Sequence, residues 1–256
     1  MLLHDGVFLF LAALAAGALN SVAGGGGFIA FPALVMTGIP PINANATNTA
    51  ALWPGTLAST GAYRDALVGS RKYIVPLIAS GMVGGLLGAI ILLKTPQRTF
   101  LHLVPWLLLS ATALFAMSSR LTRWLRQRRA SGEGNRHVGI IGAALFQLFI
   151  ALYIGFFGAG AGILMLAMFS LMGVESIHTM NGLKTLLASI CNGMALIAFI
   201  VAKAIFWPQA LLMVVGAAIG GYAGAYYAQK IAPQRVRLLV IFIGLGMAAY
   251  FFVRGG

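Results

Sequence analysis

A single lysine inside an apolar stretch is the residue that most directly indicates a chemistry. Lys184 lies in the segment Ile177–Ala202, and a lysine at the centre of a membrane-spanning helix costs roughly 2.5 to 3.5 kcal/mol on insertion scales. The chain has four acidic residues, each in a loop or at the end of an apolar segment: Asp5, Asp65, Glu133 and Glu175. With no acid expected inside the membrane, the predicted partner of the ammonium group is an anionic cargo. The alternative is snorkelling to the headgroups, since Lys184 is about two turns from the start of its segment.

Hydrogen-bonding side chains accompany this lysine at helical spacing. Positions i, i+3, i+4 and i+11, which share one helix face, are occupied by Asn181, Lys184, Thr185 and Asn192. A second segment carries the same spacing, extended to i+14, in Asn45, Asn48, Thr49, Thr56 and Ser59. A polar face in lipid must point into the bundle or a cavity, which predicts hydrogen bonds to a substrate. The alternative is hydrogen bonding between helices, worth about 0.6 kcal/mol per contact.

Two glycine clusters interrupt apolar runs that are too long for one upright helix. Gly24–Gly27 breaks the first run, and Gly158, Gly160 and Gly162 break the fifth. Glycine costs about 1 kcal/mol in a helix interior relative to alanine, so an unbroken helix is not expected. A broken helix exposes backbone N–H groups at a new N-terminus, where the helix dipole favours an anion. Close packing of helices through small residues is the alternative.

These patterns together predict one substrate-binding set and no catalytic residues. The set is Lys184, Asn181, Thr185, Asn48, Thr49, Asn45, Gly25, Gly26, Gly27, Gly158, Gly160 and Asn192. No nucleotide-binding, zinc-protease or serine-hydrolase motif is present, and Cys191 is the only cysteine. We therefore expect neither an enzyme nor a cofactor. His178 beside Glu175 makes proton coupling conceivable, although a solvated loop histidine is the simpler interpretation.

The composition predicts that helices in lipid position these residues. The chain has 256 residues, of which 60% are hydrophobic and 8% charged, whereas soluble domains carry about 25% charged residues. Apolar runs long enough to span a bilayer, at roughly 20 residues each, indicate an all-α integral membrane protein. Eight such segments are predicted: Val7–Met36, Asn43–Tyr63, Tyr73–Leu93, Leu101–Met117, Val138–Met172, Ile177–Ala202, Pro208–Ala228 and Val236–Val253.

The two halves of the chain resemble each other, which predicts two repeats of four helices, each with a glycine-broken first helix. An offset of 133 pairs Gly25 and Gly27 with Gly158 and Gly160, and Asn48 with Asn181. An offset of 136 pairs Gly84, Gly85, Gly88 and Lys94 with Gly220, Gly221, Gly224 and Lys230. A three-residue indel between the second and third segments reconciles the offsets. We predict repeats at 1–130, including a basic linker, and 131–256; parallel and inverted arrangements both stay open.

The charge distribution predicts a topology rather than a nucleic-acid interface. The formal net charge of +13 comes from basic residues in short gaps between apolar runs, as expected of topology signals. If each segment crosses once, eleven basic residues share a side with both termini and five lie opposite, so both termini are predicted to be cytoplasmic. The arginine-rich stretch from Ser118 to Arg136 is predicted to anchor this topology or contact anionic lipids.

At these motifs the sequence resembles the TauE/SafE sulfite-exporter family, also called the toluene-sulfonate uptake permeases. The resemblance rests on the stretches Asn20–Phe28, Asn45–Thr49, Pro54-Gly55 and Met180–Ala188. It spans the whole chain and implies a transporter of the bacterial cytoplasmic membrane. The implied cargo is an anion such as sulfite, a sulfonate or a related carboxylate. The alternatives are a passive anion channel and a non-transporting scaffold; the coupling ion and assembly into a homo-oligomer stay open.

Overall fold

The chain is all-helical in the computed structural model, which describes residues 3–23, 25–62, 71–130, 139–174, 176–228 and 233–255. Within these ranges there are ten α-helices and no strand. In chain order they are α1 (Leu3–Ala23), α2 (Gly27–Met36), α3 (Pro41–Ala62), α4 (Arg71–Lys94), α5 (Gln97–Ala130), α6 (Ile140–Phe156), α7 (Ala161–Leu171), α8 (Ile177–Val201), α9 (Trp207–Ala228) and α10 (Pro233–Gly255).

Both glycine clusters interrupt their helices, as predicted. α1 gives way to α2 around Gly25–Gly26, and α6 gives way to α7 at residues 157–160. The second break needs glycine because Gly158 and Gly160 have φ of 80° and 75°, a left-handed conformation that side chains with a Cβ adopt at a cost. The first break needs glycine because the chain packs tightly against α1 there: a Cβ on Gly26 would lie 2.6 Å from the Ala16 carbonyl oxygen.

The most extensive helix contacts of the described chain join α1 with α9, α4 with α6, α4 with α8 and α5 with α10, followed by α3 with α8 and α3 with α9. Glycines allow two of these pairs to pack backbone to backbone. Gly84 lies against the Leu148 carbonyl and Gly88 against the Leu152 carbonyl, so α4 and α6 run parallel. On α9, Gly216 lies against the Phe10 carbonyl and Gly220 against the Leu14 carbonyl, so α9 runs parallel to α1.

The turns of the described chain lie at two opposite ends of the bundle. We call the end where α1 begins the near end. Here Asp5 and Gly38 line one surface pocket. The start of α5 is tied to the start of α3, because the Ile42 N–H donates to the Gln97 Oε1 (2.9 Å). The end of α8 joins them, because Asn43 Nδ2 donates to the Ala204 carbonyl (2.9 Å).

The opposite, or far, end holds the ends of α1, α3, α5 and α9 and the start of α8. α2 folds back along α1, because Gly26 packs on Ala16 while the turn after α2 lies beside Asp5. α10 runs antiparallel to α5, since Gly244 packs against Thr112 and Phe252 against Trp106. α10 therefore ends at the near end, and α1 with α2 is a hairpin that returns to the end from which it started.

Four of the described helices are individually long and apolar enough to cross a membrane, in the ranges Leu3–Asn20, Ile74–Lys94, Gln97–Met117 and His178–Val201. The other predicted segments contain shorter apolar helices or, in α3, a polar face. The prediction of an all-helical protein with long apolar spans is confirmed. The sequence left open whether the first segment crosses once or is re-entrant, and in the structure α1 and α2 form a hairpin.

Candidate functional site

The predicted site residues gather around one cavity of about 230 Å³ in the interior of the bundle. Its walls come from α1, α2, α3, α5, α6, the α6–α7 break, α7 and α8. Nine of the twelve predicted residues line it: Lys184, Thr185, Asn192, Asn45, Asn48, Thr49, Gly27, Gly158 and Gly160. Asn181, Gly25 and Gly26 do not line it, although Asn181 contacts Lys184.

Lys184 contributes a cation to this cavity. Its Nζ donates to Asn181 Oδ1 (3.1 Å), and its Cδ lies 3.2 Å from where a Cβ on Gly162 would be. In the part of the chain that the structure describes, the only ion pair joins His4 to Asp5, so no described carboxylate neutralises this lysine. Glu175 lies outside the described residues. Lys184 lines the cavity, and its Nζ is held by Asn181, one turn nearer the start of α8.

α3 presents a matching set of side chains from the opposite direction. Asn48 is the eighth residue of α3, and Lys184 is the eighth residue of α8; each lies about 10 Å along its helix at 1.5 Å per residue. The two helices run antiparallel, since Trp53 Nε1 donates to the Ser189 carbonyl (2.8 Å) while the start of α3 bonds the chain just after α8. Asn48 and Lys184 therefore reach similar depths from opposite ends.

The helix starts give a different offset between the two halves from the one in the sequence pattern. α3 and α8 begin at Pro41 and Ile177, which are 136 residues apart. Asn48 therefore corresponds to Lys184 and Asn45 to Asn181, whereas the sequence pattern paired Asn48 with Asn181 at an offset of 133. The change from an offset of 133 at Gly25 and Gly158 to 136 at Pro41 and Ile177 is therefore spread over the stretch before α3 and α8, and the turns 37–40 and 172–176 contribute one residue of it.

The threonines at corresponding positions make the same backbone contacts. Thr49 Oγ1 donates to the Asn45 carbonyl (3.0 Å), and Thr185 Oγ1 to the Asn181 carbonyl (3.1 Å). Thr56 Oγ1 likewise donates to the Leu52 carbonyl (3.2 Å). Each hydroxyl proton is used within its own helix, so only oxygen lone pairs remain for the cavity.

Two asparagines of α3 have unsatisfied oxygens. Asn45 and Asn48 are 2% and 8% exposed, and the Oδ1 of each has no hydrogen-bond partner in the described protein. Asn45 has a fixed amide orientation, because its Nδ2 donates to the Phe156 carbonyl at the end of α6 (3.2 Å). This bond also holds α3 against the α6–α7 break.

The glycine break between α6 and α7 supplies backbone donors. Tyr153 donates its hydroxyl proton to the Ala159 carbonyl (2.6 Å), which fixes the turn. The amides of Ala159, Gly160 and Gly162 donate to no other carbonyl of the described chain, as expected at a helix start. All three residues line the cavity, and a helix N-terminus of this kind favours negative charge.

Sequence reasoning missed the aromatic and apolar walls. Phe31, Trp53, Phe115 and Phe157 line the cavity, as do Asn20, Ile154, Ile163 and Leu166. Aromatic residues are common throughout apolar segments, so nothing in the sequence separated these from core residues. His178 is exposed at the start of α8 and does not line the cavity.

Comparisons with known proteins identify the relatives of the chain. The family profile described as "Sulfite exporter TauE/SafE" matches residues 9–251. A "Probable membrane transporter protein ORF9" of a Sinorhizobium species is 28% identical over 250 residues, covering 96% of this chain and 91% of the relative. "Probable membrane transporter protein YfcA" of Escherichia coli K12 is 28% identical over 248 residues, covering 94% and 87%. A "Probable membrane transporter protein" of Haemophilus influenzae is 26% identical over 243 residues, covering 94% and 92%. No solved structure matches the chain.

Proposed function

Because the chain belongs to the TauE/SafE sulfite exporter family, a family of membrane transporters and not of enzymes, we propose that it is a secondary active transporter that moves a small anion across the bacterial cytoplasmic membrane. The proposed cargo is sulfite, an organosulfonate or a related carboxylate. Alternating access would carry it through the cavity between α3 and α8. The twelve predicted residues are the proposed substrate-binding set, with Asn181 acting through Lys184.

One observation carries this proposal: Lys184 lines an internal cavity, and Asp5, the one acid among the described residues, is paired with His4 instead. An unpaired ammonium group at depth in a membrane is costly, and such groups mark substrate or ion pathways. The amides at the start of α7 line the same cavity and add positive potential. An anion would satisfy both groups at once.

We further propose that the two halves, 1–130 and 131–256, are inverted repeats. If each helix is replaced by the helix five places away in chain order, the α1–α9 pair becomes the α6–α4 pair. The same replacement maps the α3–α8 pair and the α5–α10 pair onto themselves. The first half begins at the near end and finishes at the far end, and the second half does the reverse. Inverted repeats with a substrate site at their interface are typical of secondary transporters.

Because α1 and α2 form a hairpin, we propose that the termini lie on the opposite side of the membrane from the one predicted by the sequence. The expectation of cytoplasmic termini assumed one crossing per segment, but α1 and α2 together return to the near end. With the charges assigned to helix ends, the near end carries Lys94, Arg98, Lys203 and Arg254. The far end and its connecting segments carry the remaining twelve basic residues outside the bundle interior. By the positive-inside rule we propose that the far end is cytoplasmic and both termini are outside.

A reporter fusion tests this orientation. Green fluorescent protein fused after Gly256 is expected to stay dark, and alkaline phosphatase at the same position is expected to be active, because only the phosphatase folds outside the cytoplasm. Fusions placed after Ala130, at the far end of α5, serve as the matched control and are expected to give the opposite result. A fluorescent fusion at Gly256 would instead support cytoplasmic termini.

The cavity favours access from the far end in this structure. Asn20 and Ser59, near the far ends of α1 and α3, line it. On the near side, Phe31 packs edge-on against Phe157 (centroids 5.6 Å apart) and stacks on Phe251 (5.9 Å). All three rings are buried. Separation of these rings is the movement that alternating access would require at the near end.

Replacement of Lys184 tests the function itself. In proteoliposomes, Lys184→Gln is expected to abolish uptake of radiolabelled sulfite and of ethanesulfonate, because the cavity loses its cation. Lys94→Gln, which removes an exposed lysine, is the control and should transport like the unmodified protein. Unchanged transport by Lys184→Gln would remove the proposed role. Flux far above carrier turnover, without exchange across the membrane, would indicate a channel instead.

A further inference from the structure

Tyr153 contacts a cavity-lining turn from outside the cavity. It lies in the last turn of α6, and its ring packs against the apolar core. The residues 157–162, which connect α6 to α7 and begin α7, all line the cavity, whereas Tyr153 does not. Any effect of this tyrosine on a bound substrate must therefore act through the backbone of the turn.

Tyr153 binds this turn at three backbone groups. Its carbonyl accepts hydrogen bonds from the N–H groups of Phe157 (2.8 Å) and Gly158 (2.9 Å). Its hydroxyl donates to the Ala159 carbonyl (2.6 Å). The first two amides of the turn are therefore used by Tyr153, and the next two, of Ala159 and Gly160, donate to no other carbonyl of the described chain.

The bond to Ala159 also fixes the direction of the following amide. The Ala159 carbonyl and the Gly160 N–H belong to one planar trans peptide unit, so they point in opposite directions. Because Tyr153 lies outside the cavity, a carbonyl held by its hydroxyl is turned away from the cavity. The Gly160 N–H is consequently turned toward the cavity, which Gly160 lines.

The glycines of the turn explain why this peptide unit needs to be held. Gly158 and Gly160 have φ of 80° and 75°, and glycine adopts positive and negative φ about equally readily. A flip of the peptide unit between Ala159 and Gly160 therefore meets little local resistance. The flipped unit would direct the negative end of the Ala159 carbonyl toward the cavity and repel an anion. The Tyr153 hydroxyl selects the orientation that attracts one.

Side chains of the same cavity indicate an anion independently of this turn. Lys184 lines the cavity, and one of its three protons is used on Asn181 Oδ1. Asn48 is 8% exposed and makes no hydrogen bond to another described residue, and its Oδ1 is enclosed. Its Nδ2 lies 3.6 Å from where a Cβ on Gly27, another lining residue, would be. The cavity thus has a cation and a side-chain donor besides the backbone amides.

We propose that Tyr153 is a positioning residue for anion binding, which acts by turning the Gly160 N–H toward the cavity. The hydroxyl itself does not touch the substrate. It holds the Ala159 carbonyl, and the N–H at the other end of that peptide unit donates to an oxygen of the anion that Lys184 attracts. The inference rests on the proposed transport function and adds to it a residue outside the predicted substrate-binding set.

Removal of the Tyr153 hydroxyl tests this role. In titration calorimetry on the purified full chain in detergent, Tyr153→Phe is expected to bind sulfite and ethanesulfonate about tenfold more weakly, because the Gly160 amide loses its fixed direction. Thr112→Val is the matched control: the Thr112 hydroxyl is also buried and donates to a carbonyl, that of Leu108 (2.6 Å), but Thr112 does not line the cavity. This control should bind both anions like the unmodified chain. Unchanged affinity in a folded Tyr153→Phe protein would overturn the inference.

The Gly160 amide gives a readout that a loss of stability alone would not change. In NMR spectra of protein labelled with ¹⁵N-glycine, its signal is assigned by its absence from Gly160→Ala. The signal is expected to shift when the unmodified chain is saturated with sulfite, and this shift should be largely lost in saturated Tyr153→Phe. The Gly158 amide, whose proton is bound to the Tyr153 carbonyl, is the internal reference and should shift little. A full Gly160 shift in saturated Tyr153→Phe would show that the tyrosine only stabilises the fold.

The same measurements separate this inference from the proposed function. Anion binding that Lys184→Gln abolishes, without any shift of the Gly160 signal, would leave an anion transporter and remove the role of Tyr153. The spectra of the unmodified chain are sufficient for that result, even if Tyr153→Phe does not fold. Failure of both sulfite and ethanesulfonate to bind the unmodified chain would remove the anion site and, with it, the inference.

Discussion

α3 and α8 present the same side-chain geometry to the cavity with different chemistry. Each carries an asparagine at its fifth residue and a threonine at its ninth, and each threonine donates to the carbonyl four residues earlier. At the eighth position α3 has Asn48 and α8 has Lys184. One helix therefore contributes a neutral amide at this position and the other contributes a cation.

The residue at the eighth position also determines whether the Oδ1 of the asparagine three residues before it has a hydrogen-bond partner. Lys184 donates to Asn181 Oδ1, whereas Asn48 leaves Asn45 Oδ1 without a partner. The residue at this one helix position thus changes both the charge and the hydrogen bonding of its helix face. In the proposed repeat, α3 and α8 would be equivalent helices that differ at this position.

Exchange of the two residues tests this comparison with the largest expected effect. Lys184→Asn alone should weaken ethanesulfonate binding about 100-fold, since a hydrogen bond to a charged group contributes roughly 1.5–3 kcal/mol. The double variant Asn48→Lys/Lys184→Asn should recover most of that affinity, because the new lysine has Asn45 Oδ1 at the same i−3 position. Calorimetry on all four proteins completes the cycle. A double variant no better than Lys184→Asn would show that the two helices are not equivalent.

Alanine substitutions at the two glycine breaks compare how strongly each backbone depends on glycine. The expected effect, on thermal stability, is smaller than that of the exchange. Gly160 has φ of 75°, and a non-glycine residue there costs about 1–2 kcal/mol, so Gly160→Ala should lower the Tm. Gly27→Ala places its Cβ in ordinary contact, 3.6 Å from Asn48 Nδ2, and should leave the Tm near that of the unmodified chain. Thermal unfolding in one detergent measures both. An equal loss of stability would contradict the assignment of different roles to the breaks.

The threonine pair should give the smallest difference. Thr49→Val and Thr185→Val each remove one hydroxyl whose proton is already bound within the helix. We expect each to change ethanesulfonate affinity by about two- to fivefold, within the ~0.5–1 kcal/mol of a single neutral hydrogen bond. A much larger effect at Thr185 alone would indicate that this hydroxyl rotates to bind the ligand directly.

Local patterns were sufficient to predict much of the candidate site. The polar faces of α3 and α8 follow from helical periodicity, which depends only on residues a few positions apart. The breaks at Gly158 and Gly160 follow from a backbone preference of the residues themselves. The isolation of Lys184 from carboxylates was predicted because the chain has only four acids, all outside the apolar segments; of these, the structure describes Asp5, which pairs with His4. These features predicted nine cavity residues without knowledge of the fold.

Long-range contacts decided the rest. The register that places Asn48 opposite Lys184 depends on where α3 and α8 begin, and three-residue gaps in weakly similar repeats leave that ambiguous in a sequence. The rings of Phe31 and Phe157 became part of the site only through packing partners far along the chain.

The sequence by itself determined a helical membrane protein with a lysine on a polar helix face, because hydrophobicity, charge and helical spacing are local properties of the chain, and its motifs indicated the transporter family. Only the tertiary structure decided that α2 folds back on α1, since the direction taken after a glycine break depends on contacts such as Gly26 with Ala16. That reversal sets the side of every later helix end. The reversal also sets the direction of α3. Because α3 begins at the near end, it runs antiparallel to α8, and its polar residues line the same cavity as Lys184.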